Sequence, residues 1–189
     1  MKPTLTHMKN IFIFLAFSLL TTQVSAVQFS PVQVSKNIYA FIGDTGMRSY
    51  ENEGMNANAG FVVIKAGVVV VDSGSTYLVA KAMHEAIKKI TQQPVKYVIN
   101  TGGQDHRWLG NGYFKEIGAK IIASRKALTD MQERGAMELA TLKPELREKL
   151  AGTQIVYPER LFDQTDSLKL GDEEIQILFF RADIHRAMQ

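Results

Sequence analysis

Cysteine is absent from all 189 residues. Its absence excludes a disulfide framework, a thiolate metal site and a cysteine nucleophile. Any metal has to be held by imidazole, carboxylate or amide, and imidazole is scarce: His7, His84, His106 and His185 are the four histidines. An excess of one charge is also missing. The formal net charge is +3, with 22 Lys+Arg against 19 Asp+Glu, and Lys2 and Lys9 lie in a leader-like segment whose removal leaves +1. A near-neutral chain lacks the basic field that nucleic-acid binding requires. Repeats and low-complexity tracts are absent as well, and 46% hydrophobic with 22% charged residues is a globular composition.

Long apolar runs are confined to the start, where Ile11–Leu20 follows Lys2 and Lys9 and precedes the small-residue site Val24-Ser25-Ala26. That run is about half of the roughly 20 residues a membrane span needs. Residues 1–26 therefore read as a signal peptide, with Met8 as an alternative start and the mature chain beginning near Val27. The expected location is periplasmic or secreted, with no stable membrane anchor after cleavage.

The mature chain alternates strand and helix signals. Gln33–Ile42 reads as a strand, and Gly60–Ile64 and Val68–Asp72 form a hairpin around Lys65-Ala66-Gly67. The second arm is apolar until Asp72, the pattern of a strand buried on both faces. Leu78, Val79, Ala82, Met83, Ala86, Ile87 and Ile90 recur at helical spacing, with Pro94 as the expected stop. Val95–Ile99 is a further buried strand, followed by a short helix near Leu109–Ile117 and a strand at Ala119–Ala123. A charged helix from Lys126 to Leu150, broken near Pro144, and a closing hairpin of Leu168–Asp172 and Glu174–Leu178 complete the chain. This order implies a layered α/β domain, here residues 27–180.

Chemistry concentrates after Val95–Ile99, where Asn100–Asn111 reads Asn-Thr-Gly-Gly-Gln-Asp-His-Arg-Trp-Leu-Gly-Asn. Glycine and polar residues at the end of a buried strand are where an α/β enzyme holds its substrate. His84, among Lys81, Glu85 and Lys88, reads as a solvated histidine. Trp108 and Tyr113 read as packing, and the polar segment Thr45–Asn58 as a surface connection that could also form the rim of a site.

The arrangement from Gln33 to Leu178 resembles the amino-terminal half of the metallo-β-lactamase-fold hydrolases. The matching pieces are the hairpin ending Val71-Asp72-Ser73-Gly74, the helix after it, Tyr97–Thr101, the loop and the Leu168–Gly171 turn. The resemblance implies an αββα sandwich of which the first half is present. It also implies a loop of the form Thr-His-x-His-x-Asp-His-x-x-Gly-Asn that converges on zinc, which would activate a water as nucleophile. Without gaps, Thr101 and Gly110-Asn111 fit the ends of that frame. Gly102 and Gln104 then stand in the first two His slots, His106 in the Asp slot and Arg107 in the last His slot. Glycine has no donor atom and arginine is a permanent cation. A second register, with one deletion and one insertion, keeps Asp105-His106 as the family's Asp-His pair. The implied metal residues are thus His106, Gln104 and Asp105, with His106 common to both registers. A loop histidine with hydrogen bonds only is the competing reading. Asp72 reads either as the acid that orients a ligand imidazole from behind or as a cap on the helix start at Ser73–Thr76.

The family's second half carries a His-Thr-Pro-Gly-Asp turn. After Ile175–Phe180 this chain reads Arg181–Gln189 instead. Reading from the third base of Asp183 onward, codons for these residues can spell His-Thr-Pro-Gly-Asp-Ala. The expectation is a frameshift near Phe180–Ala182, with residues 181–189 as an out-of-frame tail and the domain truncated. The nucleotide sequence of codons 178–189 and beyond tests it, and a shifted frame without that motif would sink it. A half-sandwich would expose apolar sheet and favour self-association. Two functions remain at this stage. One is an exported, zinc-dependent hydrolase of a small-molecule ester, thioester or amide-like bond, impaired as written. The other is a non-catalytic relic or metal-free binding module of the same fold, taking no nucleic acid.

Overall fold

The computed structural model describes residues 28–179, so the leader 1–26 and the tail 181–189 lie outside the described residues. Seven strands form one sheet in sequence order: β1 Val32–Ser35, β2 Ile38–Phe41, β3 Ala59–Ile64, β4 Gly67–Val71, β5 Val95–Asn100, β6 Lys120–Ser124 and β7 Arg160–Phe162. The first four pair antiparallel. From β4 to β7 every pair is parallel, each reached through a helical crossover. The crossovers are α1 Tyr77–Lys88, the short helices α2 Asp105–Trp108 and α3 Asn111–Glu116, and α4 Arg125–Leu146.

Alternation along the central strands explains the layers. Val68, Val70, Val98 and Ile121 point to one face and join Val79, Met83 and Ile87 of α1 and Phe114 of α3. Val69, Ile99 and Ile122 point to the other face. There they meet Leu168, Leu170 and Ile177 from β8 Asp166–Leu170 and β9 Glu173–Ile177, a hairpin that forms its own two-stranded sheet. Strand β4 is therefore buried on both sides, as its unbroken apolar run requires. Behind the loop that follows β5, Trp108, Leu109, Ala127, Met131, Leu142 and Leu146 make a separate cluster with Ala123.

Several boundaries differ from those expected. Gln33–Ile42 is two strands, because Asn37 takes a left-handed conformation (φ 62°) and folds β1 back on β2. Helix α1 ends at Lys88, well before Pro94. The N–H of Lys89 already bonds back to Ala86 and Ile87, which leaves Ile90 exposed. The expected helix at Leu109–Ile117 is two short helices meeting at Leu109-Gly110. Pro144 does not break α4. It lies on the exposed side of the last turn, where the Ala140 carbonyl that loses its donor is open to solvent, and the helix stops only where Arg147 turns to φ 51°.

Candidate functional site

Strands β4 and β5 end side by side, and their ends build the site. Asp72, at the end of β4, is buried and holds φ 62°. Its carboxylate accepts the Thr101 N–H and the Thr101 hydroxyl, both at 2.7 Å, and the Arg107 guanidinium at 3.3 Å. Helix α1 is capped instead by Thr76, whose hydroxyl oxygen accepts the Val79 N–H at 3.0 Å. That removes the capping role for Asp72. Burial pushes the Asp72 carboxyl up, opposed by the Thr101 donors and the Arg107 charge.

A buried amide network fixes the loop to this edge. Asn100 and Asn111 exchange bonds, the Asn111 amide donating to Asn100 Oδ1 at 2.9 Å and the Asn100 amide to Asn111 Oδ1 at 3.1 Å. Asn111 also donates to the Val156 carbonyl and accepts from the Ser73 hydroxyl. Gly110 fits because nothing larger can: a Cβ there would strike the Ser73 carbonyl and the Ala80 side chain. Trp108, fully buried, donates its indole N–H to the Gly103 carbonyl at 2.9 Å and stacks on Tyr157. The Asn100–Asn111 pairing is a role that sequence reasoning missed. The asparagines bracket the loop in sequence, and that bracketing was the available signal.

Asp105, also buried, accepts a salt bridge from Arg48 and the N–H of His106 at 2.8 Å. Arg48 belongs to Thr45–Asn58, so this segment is part of the site and not a plain surface connection. It is pinned again by Tyr50 to Glu148, by Lys149 to the Tyr50 carbonyl at 2.9 Å, and by the Ser75 hydroxyl to the Glu53 carbonyl at 2.7 Å. His106 Nδ1 lies 3.3 Å from Asp105 Oδ1, is buried, and makes no hydrogen bond among the described residues. Burial, with the charges of Arg107 and Arg48, holds its pKa below the ordinary histidine value. Glu138 of α4, which interacts electrostatically with His106 and Arg48, is pushed up by burial. Nothing in the sequence spacing marked Arg48 or Glu138. Gln104 is exposed at the loop's outer edge.

His84 corrects an expectation. It is half-buried, with Nδ1 2.8 Å from the Tyr113 hydroxyl and its ring against Tyr113 and Phe114. The α1–α3 contact takes it out of solvent, and burial lowers its pKa. Trp108 and Tyr113 are core residues, as expected.

Zinc does not fit the donor set described here. Arg107 occupies the Asp72 carboxylate and Arg48 the Asp105 carboxylate, so both acids at the loop are paired with a permanent cation. Among the described residues, no three His, Asp or Glu side chains converge closely enough to hold a metal. One direct consequence concerns pH. Since the folded pKa of His106 lies below its unfolded value, the unfolded chain takes up a proton first on acidification. Stability is then lost as pH falls from the ordinary histidine value through the lowered one. His84, lowered in the same direction, adds to it, so denaturant melts at several pH values are expected to show this loss, and His106→Gln is expected to remove only the part due to His106.

Outside the carboxyl ends of β5, β6 and β7 lies an open cleft of about 950 Å³, bordered by Thr101–Gln104, Arg107, Lys126, Phe162 and Phe179. Crevices at this end of parallel strands are where α/β folds bind ligands.

A family model described as the metallo-beta-lactamase superfamily matches residues 52–182. Among solved structures, a metallo-beta-lactamase from Pontibacter korlensis is 18% identical, with a TM-score of 0.53 over 80% of this chain and 60% of its own. The DIM-1 metallo-beta-lactamase exposed to ceftazidime is 13% identical (TM-score 0.55), with 80% of this chain and 59% of that one covered. A metallo beta lactamase from Hirschia baltica is 12% identical (TM-score 0.53), with coverage of 76% and 57%. The chain thus spans about three fifths of the length of the structures it resembles.

Proposed function

From the premise that this chain belongs to the metallo-beta-lactamase superfamily, we propose that it is a binding module that keeps the family's cleft and operates the Thr101–Asn111 loop without zinc. The observation that carries this reading is the placement of two arginines. Arg107 lies on Asp72 and Thr101, and Arg48 on Asp105, so the loop's charges are satisfied within the protein. A site with a permanent cation at its centre binds small anionic molecules more readily than metal. The mature protein is exported to the periplasm or secreted.

A second reading, the zinc-dependent hydrolase, is favoured by one observation. His106 holds a neutral imidazole whose buried Nδ1 lacks a hydrogen-bond partner among the described residues, which is the state a metal ligand needs.

Metal analysis of the purified chain after incubation with zinc separates the two. The expected result is zinc well below stoichiometry and indifferent to His106→Ala. Stoichiometric zinc that disappears in that variant would establish the hydrolase reading instead.

A further inference from the structure

We infer that the cleft recognises a carboxylate carried by a small molecule with an apolar, ring-sized body, the carboxylate bound by Arg107 and the body lying against Phe162 and Phe179. This inference rests on the metal-free reading of the loop.

Arg107 is held from one side. Its Nη1 donates to Asp72 and Thr101, and these bonds fix the plane of the guanidinium, so little side-chain freedom remains to be lost on binding. Among the described residues its Nε has no hydrogen-bond partner, although Arg107 borders the cleft. Gly102 leaves room beside it. A Cβ at that position would lie 2.5 Å from Gln104 Oε1, 3.2 Å from Arg107 Cδ and 3.5 Å from Arg107 Nε. Gln104 Oε1 and the Arg107 side chain thus both border the space that glycine leaves open. A carboxylate entering from the cleft takes two parallel N–H donors of the guanidinium, the fork that arginine offers and lysine does not.

Charge around the cleft agrees with an anion. Lys126 adds a second cation to the border. Two of the bordering acids are already paired, Asp130 with Arg134 and Asp163 with Arg125, and the remaining one, Glu133, is exposed to solvent. Phe162 and Phe179 supply the apolar wall, their rings edge-to-face with centroids 6.4 Å apart. A ring inserted there gains aromatic contact as well as apolar burial.

The probes are 3-phenylpropionate, its amide and propionate, titrated into the full-length chain in EDTA with binding followed by NMR chemical-shift changes. The acid is expected to bind, the amide and propionate at least about tenfold more weakly, in line with the cost of losing a charged hydrogen bond or an apolar body. Arg107→Lys, which keeps a cation beside Asp72, is expected to weaken the acid by at least about tenfold. Phe162→Ala is expected to weaken acid and amide alike. Equal binding of acid and amide, an undiminished Arg107→Lys, or no shift at the solubility limit overturns the proposal. Should Arg107→Lys fail to fold, the acid–amide comparison on the unaltered chain decides alone. Failure of the metal-free reading has a different signature, in which the acid binds only when zinc is supplied and zinc is present in stoichiometric amount.

Discussion

Replacing Trp108 with alanine is expected to remove about 3–5 kcal/mol of folding stability, the range for deleting a large aromatic from a packed core. Trp108 is fully buried at the centre of the cluster formed by Leu109, Ala127, Met131 and Leu146. The site is tight on the far side too, since a Cβ on Gly135 would lie 2.8 Å from the indole ring. Two losses combine in this variant. The cavity cannot collapse easily between α2 and α4, and the Gly103 carbonyl loses its indole donor. Stability should be followed by far-UV circular dichroism in denaturant, because Trp108 is the single tryptophan and its removal takes the fluorescence signal with it. Trp108→Phe, which restores most of the volume but not the N–H, is expected to fall between the two. An alanine variant within about 1 kcal/mol of the parent would mean that the residue is not packed as described.

The opposite experiment restores what the loop lacks. Gly102→His, Gln104→His, His106→Asp and Arg107→His, made together, are expected to give a chain that takes up stoichiometric zinc. The set is self-consistent in space. A side chain at position 102 is blocked in the native loop by Gln104 Oε1 and Arg107 Cδ, and the same set of changes removes both. Loss of Arg107 also releases Asp72, which is then free to accept from an introduced imidazole. The outcome is read by metal analysis and by a zinc-dependent rise in melting temperature, since a ligand bound only by the folded state stabilises it. Gly102→His alone is expected to destabilise without binding metal. A quadruple variant that folds but stays metal-free would show that the gap-free alignment of Thr101–Asn111 is the wrong one.

The layers of the fold were legible because burial leaves a periodic record. Val68–Val71, apolar at each position, could only be a strand covered on both faces, and so it is. The helix at Tyr77–Lys88 and the hairpin at Leu168–Asp172 with Glu174–Leu178 also lie where their patterns put them, within a few residues. Boundaries failed where one backbone conformation decided the outcome. Asn37 folding Gln33–Ile42 into two strands and Arg147 ending α4 beyond Pro144 are both left-handed residues with no periodic signature. The loop lies beside the end of β4, as the strand pattern implied, and Asp72 meets it through Thr101. The arginine partners were not legible in the same way. Arg48 is far from Asp105 in sequence and meets it only because the Thr45–Asn58 segment is pinned over α2. Arg107 read as a lost ligand, whereas its guanidinium ties Asp72 to Thr101. Half-burial of His84 likewise depended on Tyr113 arriving from α3.

The β8–β9 hairpin has a consequence for how the molecule opens. Among the described residues its strands pair only with each other, and it meets the seven-stranded sheet through the side chains of Leu168, Leu170 and Ile177 and through side-chain hydrogen bonds of Glu173 with the Lys65 N–H and of Arg160 with Asp166 and the Ser167 carbonyl. No backbone ladder has to break for it to lift away. It therefore behaves as a separate cooperative unit whose amides exchange with solvent through a local, low-energy opening, while those of β4, β5 and β6 wait for global unfolding.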